Sequence, residues 1–252
     1  MKRLIWMYAA ALALLILPMN APAQDGPLLK LLVRTEGKHL RARQNLEQIL
    51  REHPEFWVEL QAVAARLKTH PAWLLNVMAS ESLFVAGARN RLPGQTASGL
   101  LQIIEDTAQG LGTTTAAIRQ MSPVEQLRFV EKYFAPFRGR LDSLADVYTA
   151  TFRGFIVEGG ETAVVAPLDD SRKEQRIYAL NQWLDLNSDG RITKGELSTA
   201  ALSIGRFQAA SVADHEQNGE PVSHSASLYS GASASRDRNF ESRQTRSIYV
   251  RD

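Results

Sequence analysis

Two sets of residues in this chain have the types and spacing that chemistry needs. The first is a single carboxylate in an apolar stretch, Trp73-Leu74-Leu75-Asn76-Val77-Met78-Ala79-Ser80-Glu81-Ser82-Leu83-Phe84. Met78, Val77 and Leu74 lie three, four and seven residues before Glu81, so on a helix Glu81 shares their stripe. A carboxyl on a buried stripe loses water and resists ionisation. A carboxyl that keeps its proton can act as a general acid on the oxygen of a breaking bond. The second set is Asp185-Leu186-Asn187-Ser188-Asp189-Gly190-Arg191-Ile192-Thr193-Lys194-Gly195-Glu196. Side-chain oxygens recur at Asp185, Asn187 and Asp189, and Gly190 permits a sharp turn. Arg191 offers its backbone carbonyl, Thr193 acts directly or through water, and Glu196 closes the set with two oxygens. An all-oxygen set of this kind suits Ca²⁺.

That spacing matches the EF-hand loop at every demanding position. Ile177, Leu180 and Leu184 form an apolar face before it, and Leu197, Ala201 and Ile204 form one after it. Three acidic side chains (Asp185, Asp189, Glu196) stand against two basic ones (Arg191, Lys194), a net of −1. Low ligand charge predicts weak binding, about 10⁻⁴–10⁻³ M. No second loop exists to pair with Ile192. Calcium is therefore expected to pin a small helix pair and to leave any chemistry at Glu81 largely intact.

Both sets need helices to hold them. Helical periodicity covers residues 28–51, with Gly37 a point of interruption, and residues 54–68, where Phe56, Leu60, Val63 and Leu67 recur. Pro71 suits the first position of the Glu81 helix. Residues 85–98 read as a loop, followed by short helices near 105–110 and 113–120. Ser122-Pro123-Val124-Glu125 is a capping box that starts a helix running to about residue 134. A further helix covers 142–152. Strand patterning is weak, apart from a short candidate at 162–166. The expected fold is all-α.

The chain has 252 residues, 44% hydrophobic and 22% charged, enough for one core and a small appended module. It has no cysteine, which excludes disulfide scaffolds, thiol nucleophiles and cysteine metal sites. Its five histidines are scattered, which argues against a histidine zinc site. Lys2 and Arg3, an apolar run to about residue 19, and Ala21-Pro22-Ala23 have the layout of a secretory signal peptide. This leader carries two of the 29 basic residues and none of the 27 acidic ones, so the rest of the chain is near neutral. No basic patch with interleaved aromatics suggests nucleic acid, and no later stretch is long enough for a membrane span. The expected organisation is a signal peptide at 1–23, a helical domain at 24–153, a linker at 154–170, the calcium module at 171–210 and a Ser/Arg-rich disordered tail at 211–252.

Glu81-Ser82, then Ala97-Ser98-Gly99-Leu100-Leu101-Gln102, then Thr107-Ala108, resembles the soluble lytic transglycosylase family, which has a goose-type lysozyme-like fold. Residues 121–148 resemble its phage-tail and effector-associated branch. The resemblance covers about residues 73–152. It implies an enzyme acting on peptidoglycan glycan strands, and the leader is expected to make it periplasmic or secreted. Glu81 would be the acid and base, Ser82 and Gln102 would lie near the sugar, and Tyr148 would be the aromatic of the third motif. The family often has an asparagine after that tyrosine; here Thr149 follows. Glu105, Asp106, Asp142 and Asp146 read as solvated or capping residues, so no second catalytic carboxylate is expected. Two alternatives remain open: a muramidase that uses water, and a non-catalytic glycan-binding or calcium-regulated secretion component.

Overall fold

The computed structural model describes residues 27–91 and 94–207. The signal peptide and the tail beyond residue 210 lie outside the described residues. The chain folds as an all-α protein with one two-stranded sheet. In order, the elements are α1 (Pro27–Glu52), α2 (Glu55–Leu67), α3 (Pro71–Ser82), α4 (Glu105–Gly110), α5 (Thr115–Ile118), α6 (Pro123–Phe134), α7 (Leu144–Arg153), β1 (Val164–Pro167), α8 (Arg172–Asn181), β2 (Arg191–Thr193) and α9 (Lys194–Gly205).

The strongest stripes are buried as their periodicity predicts; the face expected before the oxygen-rich loop is so only in part, with Ile177 and Leu184 buried and Leu180 52% exposed. In α2 the buried face is Phe56, Leu60, Val63, Ala64 and Leu67. The capping box of α6 is formed in both directions between Ser122 and Glu125. Ser143 caps α7 by accepting from the Asp146 N–H. Helix α1 runs unbroken through Gly37, where an added Cβ would meet open space. Burial of Thr35, Ala42, Leu46 and Ile49 outweighs the entropic cost of one glycine.

One hydrophobic core holds the whole described chain. Tyr148, Phe56, Phe84, Phe134 and Phe152 are its largest fully buried side chains, and Leu184, Ile192, Leu197, Ala200, Ala201 and Ile204 belong to the same cluster. Helix α9 packs on α1, α3 and α7. The helix pair around the oxygen-rich loop thus shares its core with the Glu81 helix.

Strand β1 pairs antiparallel with β2, with Ala166 opposite Ile192 and Pro167 opposite Arg191. Ile192, which has no second loop to partner it, is paired by the segment just upstream of α8. None of the described helices is long and apolar enough to cross a membrane.

Candidate functional site

Helix α3 carries Glu81 on its last turn. His70 caps the start, its Nδ1 accepting from the Ala72 N–H at 3.1 Å, and Pro71 follows at the first helical position. Burial holds the His70 imidazole below its ordinary pKa, in keeping with the unprotonated Nδ1 that this cap requires. The other end is unusual. Leu83 and Phe84 both adopt left-handed backbone, at φ 54° and 60°. Side-chain residues there carry a steric cost of roughly 1–2 kcal/mol each. The turn is held by the Asn45 amide donating to the Leu83 carbonyl at 2.7 Å and by burial of the Phe84 ring. It leaves Glu81 half-buried, at the junction of helix and loop.

Two tyrosines lie in the field of Glu81. The Tyr148 hydroxyl, from α7, shares a 2.9 Å hydrogen bond with Ser80 Oγ. The Tyr133 hydroxyl, from α6, donates to the carbonyls of Ala150 at 3.1 Å and Thr151 at 3.3 Å. Burial pushes both phenols well above their ordinary pKa, and Glu81 adds to that push in its ionised form. Glu81 therefore stands beside two tyrosines that stay protonated. Tyr148, expected to meet the sugar, is fully buried, with its hydroxyl on Ser80. Tyr133 and Ser80 were missed, although Gln126, Val130 and Tyr133 share one helical face.

Ser82 and Gln102 are turned to structural work. Ser82 Oγ bonds to the carbonyls of Met78 at 3.1 Å and Leu100 at 2.9 Å, tying α3 to the loop after it. Gln102, at φ 49°, donates to the Gly99 carbonyl at 2.9 Å and helps close a turn in which Ser98 and Ile103 exchange both backbone bonds. Gln126 of α6 supports that turn from below. Its Oε1 accepts from the Leu100 N–H at 2.8 Å, and its Nε2 donates to Ala86 O at 2.8 Å and Ile118 O at 3.0 Å. A Cβ at Gly99 would sit 2.6 Å from Gln126 Oε1 and 2.5 Å from Ile118 Cγ2. Gly99 is thus required both for its left-handed φ of 78° and for this close approach. Thr149 is fully buried, and its hydroxyl is occupied by the Asp146 carbonyl at 3.2 Å.

The other carboxylates near these helices are engaged elsewhere. Glu105 accepts from the N–H and Oγ1 of Thr115, bonds that hold it below its ordinary pKa. Asp146 pairs with the Lys194 ammonium at 2.7 Å and with Ser143 Oγ at 2.7 Å.

In the oxygen-rich loop, backbone N–H groups converge on the acidic side chains. Asp185 Oδ2 accepts from Gly190 N at 2.9 Å and from the Tyr178 hydroxyl at 2.6 Å, and Asp185 Oδ1 accepts from Asp189 N. Asp189 Oδ1 accepts from Arg191 N, and Asn187 Oδ1 from Asp189 N. Glu196 spans the loop: Oε1 accepts from Leu186 N at 2.8 Å, while Oε2 caps α9 through Thr193. Among the described residues, no three acidic or histidine side chains close on one point. Asp185 and Glu196 are nonetheless nearly buried. No lysine or arginine pairs with Asp185, Asp189 or Glu196 among the described residues. The combined effect is seen at Tyr178, whose pKa is pushed up to about 12, first by its bond to Asp185, then by desolvation and by the three carboxylates. The Lys194 ammonium points away, to Asp146, and Arg191 pairs with Asp169 at 3.4 Å. The two basic residues counted against calcium are therefore matched by acids outside the loop. A cavity of about 620 Å³ opens beside these groups, lined by Glu161, Thr162, Asn187, Asp189, Arg191 and Glu196.

No protein-family model, no curated protein and no solved structure matches this chain.

Proposed function

We propose that the chain is an exported lytic transglycosylase of lysozyme-like fold, acting on peptidoglycan and carrying an EF-hand calcium site. The observation that carries this reading is the setting of Glu81: one half-buried carboxyl ending an apolar helix, beside two protonated tyrosines, with neighbouring acids otherwise engaged. Most glycosidases need two carboxylates. A transglycosylase needs one, because its substrate brings the nucleophile. Glu81 gives its proton to the glycosidic oxygen between N-acetylmuramic acid and N-acetylglucosamine. The resulting carboxylate takes a proton from the muramyl C6 hydroxyl, whose oxygen bonds to C1. The products are a 1,6-anhydro end and a free hydroxyl, with no water consumed. Ser80, next to Glu81 in sequence, bonds to Tyr148, and Ser82, Gln102 and Gln126 fix the 98–103 turn against α3 and α6.

The loop residues fit calcium by the chemistry of their donors: carboxylate and amide oxygens, two carboxylates nearly buried and, among the described residues, no cation paired to them. Asp185, Asn187, Asp189, the Arg191 carbonyl and Glu196 would hold the ion, which neutralises charge there and supplies no catalytic step. A non-catalytic glycan-binding or secretion component is the second reading. It is favoured by the occupied side chains of Ser82 and Gln102 and by Thr149 at the third motif.

Digestion of purified peptidoglycan, read by mass spectrometry, tests these readings. Anhydro ends support the transglycosylase; ends heavier by one water indicate a hydrolase; binding without cleavage indicates the second reading. Glu81→Gln should lower turnover about 10²–10⁴-fold, and wild-type turnover in that variant removes Glu81 from the mechanism.

A further inference from the structure

Helix α9 begins inside the oxygen-rich loop and ends against the helix that carries Glu81. At its start, Glu196 is both a loop carboxylate and the capping residue of the first turn. Lys194, also in the loop, is almost fully buried. Its ammonium donates to Asp146 Oδ1 at 2.7 Å, Val157 O at 2.8 Å and Gly159 O at 3.0 Å. Asp146 lies two residues before Tyr148 on α7. The start of α9 is thus locked to the tyrosine helix.

Its end is locked to α3. The fully buried Asn76 amide donates to Phe207 O at 2.6 Å, and its Oδ1 accepts from Phe207 N at 3.1 Å. The backbones approach so closely that a Cβ on Gly205 would lie 2.2 Å from Asn76 Oδ1 and 3.0 Å from Asn76 Cα. The Phe207 ring meets Phe84 edge-on at 6.0 Å. Asn76 and Phe84 flank Glu81 in sequence, five residues before and three after. His39 of α1 adds a bond from Nδ1 to Ile204 O at 2.9 Å.

We infer that the 185–196 loop is an effector site: calcium bound there sets the positions of α3 and α7, and hence of Glu81 and Tyr148, through α9. The inference rests on the calcium reading above and departs from the expectation that the metal acts only locally. To ligate an ion, Glu196 Oε1, which accepts from both Leu186 N and Asn187 N, must release at least one of them. Because Glu196 belongs to the first turn of α9, that exchange acts on the helix itself. A helix clamped at both ends transmits such a change where a freely packed one would absorb it. Linkage makes the effect reciprocal, so loosening the far clamp must alter calcium affinity.

The test uses the full chain with calcium chloride or with chelator. Calcium affinity is measured by titration calorimetry for wild type, Glu196→Gln and Asn76→Ala. Amide hydrogen exchange is followed for wild type with and without metal. Coupling of ordinary size corresponds to a change in affinity of roughly 5–150-fold. The expected result is a larger gain of protection in α1, α3 and α7, which touch α9, than in α2 and α6, together with weaker calcium binding in Asn76→Ala. Calcium binding with protection confined to the loop and α9, or spread evenly over α2 and α6, overturns the coupling and leaves the calcium site standing. Absence of binding, or equal binding in Glu196→Gln, overturns the site and the coupling together. The exchange comparison needs only wild type, so it decides the matter even where Asn76→Ala fails to fold.

Discussion

Lys194→Met isolates the most concentrated polar contact in the core. Methionine keeps most of the apolar stem of lysine and removes the ammonium. In the wild type all three ammonium protons are used, on Asp146, Val157 O and Gly159 O, within 3.0 Å. The two charged side chains are only 6% and 14% exposed, so water screens the pair poorly. Removing one member of a buried pair leaves the other as an uncompensated charge, at a cost of about 3–5 kcal/mol. Ser143 Oγ still donates to Asp146 Oδ2, which favours the lower end of that range. Against a typical total stability of 5–15 kcal/mol, even about 3 kcal/mol is a large loss. Urea unfolding would measure it, and the cycle with Asp146→Leu separates the pair from its surroundings. Once the lysine is gone, the second substitution should cost little or restore stability, because no buried charge remains. A loss below about 1 kcal/mol in Lys194→Met, or simple additivity of the two substitutions, would refute the claim that this pair fixes α9 to α7.

Two further substitutions probe the frame around Glu81. The folded state holds His70 below its unfolded pKa of 6.5, so the unfolded chain binds the proton more readily. The stabilising contribution is complete above that value and is lost as pH falls from 6.5 toward the folded pKa. His70→Asn caps without titrating, so its melting temperature should vary less than that of wild type over this window; equal slopes would remove His70 as the cause. Glu105 and Glu131, held low by Thr115 and Arg66, lose their contribution only as pH falls below 4.5, outside the window. Gly99→Ala forces a Cβ into Ile118 and Gln126 and strains a left-handed backbone, so it should destabilise by about 2 kcal/mol or more and impair any activity at Glu81; wild-type melting would show that the turn repacks freely.

The helices were legible in sequence because each has a local signature: a 3.6-residue stripe, Ser122 and Glu125 as a capping box, Pro71 at a helix start. The setting of Glu81 was legible in part, since its apolar stripe and the Tyr148 position are local as well. Contacts between distant segments left no such trace. Nothing in the sequence around Asn76 marks it as the clamp for Phe207, 131 residues later. Lys194 counted as loop charge because its partner Asp146 lies 48 residues away. Gln126 did leave a sign, an amide on the otherwise apolar face of α6 with Val130 and Tyr133, and buried amides require partners. The division at residues 154–170 followed glycines and a proline, which report backbone bends and carry no information on whether the cores on either side join.

The two left-handed residues after Ser82 bear on the choice between an enzyme and a glycan-binding remnant. Leu83 and Phe84 are not glycines, and together they hold a few kcal/mol of strain at the end of one helix. Glycine fills the corresponding position at Gly154 after α7, whereas Lys68 after α2 and Arg206 after α9 are left-handed without it; among the described residues only Leu83 and Phe84 are left-handed in succession. Here the strain is met by Asn45 from α1 and by Phe207 after α9, and the return is a carboxyl set where helix and loop part. Strain of this kind persists where surrounding structure over-determines it, and it concentrates at working sites. A binding groove needs shape and hydrogen-bond donors along its length. It does not need one carboxyl at a strained helix end, and on the proposed reading that strain would serve to hold Glu81 for proton transfer.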